Sequence, residues 1–114
     1  MRRVLTVCGI VLGLSCGVAF AQDAAKIARG KEVYATAKCS TCHSIEGKGN
    51  QKGPLDGVGS KLTEEEIRLW HTDPKTMTAK TKSTRKPPMG SYATKLSKED
   101  LDAVVAYMVS LKKK

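Results

Sequence analysis

The apolar positions of this chain recur with helical spacing in three places. Between residues 23 and 38, Ile27, Gly30, Tyr34 and Ala37 follow one another at intervals of three and four, which places them on one face of a helix. Asp23 suits its N-cap. A second helix begins at "TEEEIRLW". Thr63 and Glu66 form a capping box there, and three acidic residues occupy the first turn, where the helix dipole favours them. Asp73-Pro74 ends it. A third begins at Ser97, with Leu101, Val104, Val105, Met108 and Leu111 as its buried stripe and Tyr107 beside it. Lys112 to Lys114 follow at its C-terminal end, where positive charge suits the dipole.

Between these helices lie two long polar segments. "EGKGNQKGPLDGVGSKL" carries five glycines and Pro54, a composition that argues against regular structure. "KTMTAKTKSTRKPPMGSY" is basic and ends in the stiff pair Pro87-Pro88. No strand-like alternation of any length is present. The pattern predicts an all-α domain of three main helices with two long loops, and loops of this length in a small domain usually wrap something.

The first 21 residues read differently. Arg2 and Arg3 precede an uncharged apolar stretch from Val4 to Phe20, and Ala19-Phe20-Ala21 is a small-x-small cleavage signal. This order is that of a secretory signal peptide, removed after Ala21 to leave residues 22–114 as one domain in the periplasm. A retained membrane anchor and a lipid anchor on Cys16 are alternatives. Cleavage removes Cys8 and Cys16, so Cys39 and Cys42 are the two cysteines that stay. It also removes Arg2 and Arg3 from the 20 Lys+Arg, leaving eighteen against eleven acids, a net charge of +7. The remaining aromatics are Tyr34, Trp70, Tyr92 and Tyr107. A 93-residue domain with so few large apolar side chains has difficulty burying enough surface, and a large apolar cofactor would make up the deficit.

The chemistry concentrates in "CSTCH": Cys39, Cys42 and His43. A structural zinc needs four ligands, and His71 is the one other nitrogen or thiol donor of the mature chain. A thiol-redox pair needs a strand before it, and a helix precedes Cys39. Covalent haem attachment needs Cys-x-x-Cys-His, and that match is complete. Two cysteines three residues apart on one turn can bind the two haem vinyl groups, and the adjacent histidine then reaches the iron. Candidates for the opposite axial position are Met77, Met89, Met108 and His71. Met108 falls on the buried stripe of the last helix. His71 is expected to be solvated beside an acidic turn. Met77 lies among threonines and lysines with nothing to hold it. Met89 follows two prolines that restrict the approaching backbone, so it is the expected ligand. Sulfur ligation raises the reduction potential, and closing both axial positions leaves no site for a substrate. The expected role is electron transfer without catalysis.

These residues resemble the class I c-type cytochromes, specifically the small bacterial monohaem proteins. "GKEVY", "CSTCH", "GPLDGVG", "PPM" and "LDAVVAYMVSL" carry the likeness, which covers nearly all of residues 23–112. It implies the cytochrome c fold, with one haem c held through Cys39 and Cys42 and ligated by His43 and Met89. It implies that the first and last helices cross at Gly30 and Tyr107. It also implies that the Pro54 carbonyl accepts a hydrogen bond from His43 and that Trp70 lies near a haem propionate. Gly90 stands where the family often has proline.

Lys48, Lys52, Lys80, Lys82, Arg85, Lys86 and Lys95 crowd the two loops. They are either a solvated face or a basic rim that steers acidic redox partners to the haem edge. The expected protein is a monomeric periplasmic electron carrier without a membrane span in its mature form and with no nucleic-acid role. The alternative is a haem subunit bound tightly to a periplasmic or membrane-associated oxidoreductase.

Overall fold

The computed structural model describes residues 16–114, with side chains from Asp23 onward. The leader expected at residues 1–21 lies largely outside the described residues.

Helix α1 runs Cys16–Thr36, so it starts seven residues before Asp23, which sits inside the helix rather than at its cap. The alanine-rich run after Phe20 has high helix propensity and carries the helix through that point. Lys38 then adopts a left-handed conformation with φ 57°, and a single 3-10 turn, Cys39–Thr41, follows. Two short strands, β1 (Ser44–Ile45) and β2 (Lys48–Gly49), form an antiparallel hairpin. One turn of helix, α2 (Val58–Lys61), interrupts the glycine-rich segment.

Helix α3 spans Glu64–Thr72, and its capping box is complete: Thr63 Oγ1 accepts from Glu66 N at 3.2 Å, and Glu66 Oε2 accepts from Thr63 N at 3.0 Å. Asp73 ends α3 as expected, but it also caps a new helix, α4 (Pro74–Thr81). The Asp73 carboxylate accepts from Thr76 N at 3.3 Å and from Thr76 Oγ1 at 2.7 Å, and Pro74 occupies the first helical position. The first seven residues of the supposed second loop are therefore helical. Met77 is correspondingly buried on α4, at 2 % exposure, and not adrift in a loop. Helix α5 spans Lys98–Ser110 with Ser97 as N-cap.

The core forms where α5 meets the other helices. Ile67, Val105 and Met108 are buried together, with Tyr34, Leu55, Val58, Leu62, Leu101 and Leu111 packed around them. Ala103 and Val104 are buried as well. Helices α1 and α5 touch backbone to backbone at Gly30: a Cβ there would lie within 2.6 Å of Tyr107 Cβ and collide with the Ala103 carbonyl. The rings of Tyr34 and Tyr107 meet edge to face, 6.0 Å between centroids. The Gly30–Tyr107 contact expected between first and last helices is present.

Candidate functional site

The cysteine turn is closed by its own backbone. The Cys39 carbonyl accepts from Cys42 N at 3.1 Å and from His43 N at 3.0 Å. Asn50 ties the turn to the hairpin: its amide N donates to the Ser40 and His43 carbonyls at 3.1 and 2.9 Å, and its Nδ2 donates to the Thr41 carbonyl at 3.1 Å. Cys39 and Cys42 are free thiols, both half-buried. Burial pushes the Cys39 thiol up from its usual range, partly offset by a backbone hydrogen bond, and the neighbouring Cys42 adds to the rise.

Both cysteines face a cleft lined also by His43, Pro87, Pro88, Met89 and Tyr92. A second lobe, almost wholly apolar, is lined by Leu55, Val58, Leu62, Ile67, Trp70, His71 and Met108. His43 and Met89 border both lobes. The nitrogen and sulfur donors thus stand at the junction of a cleft carrying the two thiols and a cleft carrying apolar walls. That donor set and lining fit a flat apolar ring anchored along one edge.

Second contacts aim these donors. His43 Nδ1 donates to the Gly53 carbonyl at 3.1 Å, leaving Nε2 as the free nitrogen. The partner is Gly53 and not Pro54. Ser44 pairs in parallel with the extended segment at Pro54, donating to the Gly53 carbonyl at 3.1 Å and accepting from Leu55 N at 2.8 Å. Successive carbonyls of an extended segment point to opposite sides, so the one facing His43 belongs to the residue before the proline. Burial lowers the affinity of His43 for a proton; the Gly53 bond opposes this, while the charges of Arg85 and His71 reinforce it. A neutral imidazole is the ligating form.

The segment carrying Met89 is held at both ends. Upstream, the Arg85 guanidinium donates to the Cys42 carbonyl and lies against Gly53, where any Cβ would collide with it. Downstream, Tyr92 N donates to the His71 carbonyl at 2.7 Å and Ser91 Oγ to the Thr72 carbonyl at 3.0 Å. Arg85 was expected on the basic rim; it turns inward instead. Lys48, Lys52, Lys80, Lys82, Lys86 and Lys95 are exposed, as that rim requires, and Lys52 and Lys86 flank Cys42. His71, expected in solvent, is half-buried in the wall of the apolar lobe. Sequence reasoning did not single out Asn50 or Gly53. The glycine-rich composition conceals both, since their work is done by backbone groups and a single short amide.

Among the described residues no helix is long and apolar enough to cross a membrane. Comparison with known proteins gives a consistent picture. The chain is 32 % identical over 83 residues to a cbb3-type cytochrome c oxidase subunit FixP of Azorhizobium caulinodans, covering 73 % of this chain and 26 % of that one. It is 28 % identical over 91 residues to a cbb3-type cytochrome c oxidase subunit CcoP of an Azospirillum species, covering 80 % of this chain and 30 % of that one. The chain thus spans less than a third of the length of either relative. No solved structure matches it. Residues 27–112 match the family described as Cytochrome c. With three quarters of its length matched, the chain belongs to the cytochrome c family, whose cofactor is covalently bound haem c.

Proposed function

We infer that this protein carries single electrons through one haem c. Cys39 and Cys42 would hold the haem by thioether bonds, with His43 Nε2 and Met89 Sδ as axial ligands. Bound in this way, haem supplies a one-electron iron couple. The observation that supports this best is the convergence of both thiols, His43 and Met89 on one cleft, with His43 and Met89 also lining an apolar one.

Each neighbour has a task in this reading. The Gly53 carbonyl keeps the proton of His43 on Nδ1. Trp70, Leu55, Val58, Leu62, Ile67 and Met108 exclude water from the cofactor face. A thioether from Met89 would favour the reduced iron and raise the potential, and with both His43 and Met89 bound to it no position would remain for a substrate. The protein is a carrier and not an enzyme. The exposed lysines around Cys42 steer an acidic surface of a redox partner toward the cofactor edge. Export through a leader cleaved after Ala21 puts the domain, as a monomer, in the periplasm.

The likeness to oxidase subunits supports a second reading, a haem subunit held within a larger oxidoreductase. Gel filtration of native extract separates the two: a free carrier elutes as a small protein, a subunit with its complex.

The direct test is expression with a haem-attachment system, followed by intact mass and optical spectrum. The mass should exceed that of the polypeptide by one haem, and the reduced protein should show sharp α and β bands. Replacing Cys39 and Cys42 by alanine should abolish covalent haem. A colourless product of polypeptide mass alone overturns the reading.

A further inference from the structure

Two histidines border the apolar lobe, and the reading above uses one. His71 stands at the C-terminal end of α3 and lines this lobe together with Trp70, Met108 and Met89. Its Nδ1 donates to the Ile67 carbonyl at 2.8 Å. That bond fixes the proton on Nδ1 and leaves the lone pair on Nε2. His43 is prepared in the same way, Nδ1 to the Gly53 carbonyl at 3.1 Å. The lobe therefore carries two imidazoles, each with one nitrogen engaged by a backbone carbonyl and the other available.

The chain also places His71 on the Met89 side. The His71 carbonyl accepts from Tyr92 N at 2.7 Å, and the Thr72 carbonyl accepts from Ser91 Oγ at 3.0 Å, so the segment following Met89 lands on this end of α3. A leucine would close an apolar wall here at no desolvation cost. Burying an imidazole instead is expensive unless its polar atoms find partners.

We propose that His71 is a second axial donor for the haem iron, positioned to replace Met89 when the methionine leaves. The inference rests on the cytochrome reading above. In the exchange the bond from Met89 Sδ to iron breaks and a bond from His71 Nε2 to iron forms. No electron moves, and no proton moves, because Nε2 already carries the lone pair and Nδ1 keeps its hydrogen on Ile67. Nitrogen lacks the preference of the thioether for reduced iron, so the exchanged state has the lower reduction potential. One chain would then hold a higher-potential and a lower-potential form, selected by whether the segment at Met89 is seated.

The test uses haem-loaded Met89→Ala and Met89→Ala/His71→Leu in the ferric state, read by electron paramagnetic resonance and optical absorption. Haem retention and far-ultraviolet circular dichroism confirm that each is folded. Met89→Ala should be low-spin with a two-imidazole signature, and the double variant should turn high-spin. A high-spin Met89→Ala protein overturns the proposal, as does a double variant that stays low-spin. A measurement that needs no double variant is hyperfine coupling in Met89→Ala protein grown with 15N-histidine: two coupled imidazoles are expected, and one overturns the assignment. Coloured protein failing here defeats only the role of His71, whereas colourless protein defeats the cytochrome reading itself.

Discussion

The Arg85 guanidinium donates to the carbonyl oxygen of Cys42, joining the segment that carries Met89 to the turn that carries the thiols. The two residues are 43 positions apart, and Met89 lies four positions beyond Arg85 in the chain. A charged donor on a half-buried carbonyl contributes about 1.5–3 kcal/mol. The flanking prolines restrict the backbone, but this bond fixes which way the segment faces.

Arg85→Gln should therefore release the Met89 segment before the rest of the domain. The far-red ferric absorption of the sulfur–iron bond should disappear at lower urea than the loss of helical circular dichroism. Arg85→Lys should recover part of the difference, since a lysine keeps the charge without the planar fork. Coincident transitions in Arg85→Gln, unchanged from the parent, would show that the latch holds nothing.

Gly53 serves both donors. Its carbonyl receives His43 Nδ1 and Ser44 N, while its Cα leaves room for Arg85 and the Cys42 carbonyl. A Cβ in that space forces the segment outward and stretches the His43 bond. Gly53→Ala should destabilise the holoprotein by about 1–3 kcal/mol, the usual range for overpacking. With His43 as the proposed haem ligand, it should also change the reduction potential, because the Gly53 bond would tune how strongly His43 donates. Thermal unfolding and redox titration read the two effects separately, and a normal potential with a lowered Tm would limit Gly53 to packing.

Gly30 tests the helix crossing in the same manner. The Ala103 carbonyl and Tyr107 Cβ occupy the place of any side chain at this position. Both collision partners belong to α5, one of them backbone, so relief requires moving a whole helix. Gly30→Ala should cost about 1–3 kcal/mol in urea unfolding. A variant as stable as the parent would mean that α1 and α5 separate without loss.

Much of this architecture was legible in the residues. Thr63 with Glu66, and Ser97, mark the starts of α3 and α5, because capping is local chemistry written in short motifs. Gly30 and Tyr107 come together as the resemblance implies. Helix α4 was missed because Asp73-Pro74 carries two meanings: it ends one helix and, with aspartate as cap and proline first, begins another. Threonines with weak helical preference follow it and hid the second meaning. At the site, Met89 stood out by its prolines and the cysteines by their spacing. Gly53, Asn50, the inward turn of Arg85 and the burial of His71 did not. Arg85 and His71 depend on contacts between segments far apart in the chain, and Asn50 and Gly53 on how one short loop folds back onto the cysteine turn, neither of which a local pattern encodes.

Arg68 on α3 donates to Asp102 on α5 at 2.7 Å. This hydrogen bond holds the Asp102 carboxyl below its ordinary value of 3.8, helped by the charges of Arg68 and Lys98 and opposed by partial burial. A carboxylate whose proton affinity is depressed by folding stabilises the folded state above the unfolded value. The contribution disappears as the pH falls below 3.8 and through the lower folded value. Asp102→Asn removes the titration while keeping the shape. It should lower the urea midpoint near neutral pH and flatten the acid limb, so that parent and variant curves converge at low pH. Curves that stay parallel down to that range would mean that the Arg68–Asp102 pair does not couple α3 to α5.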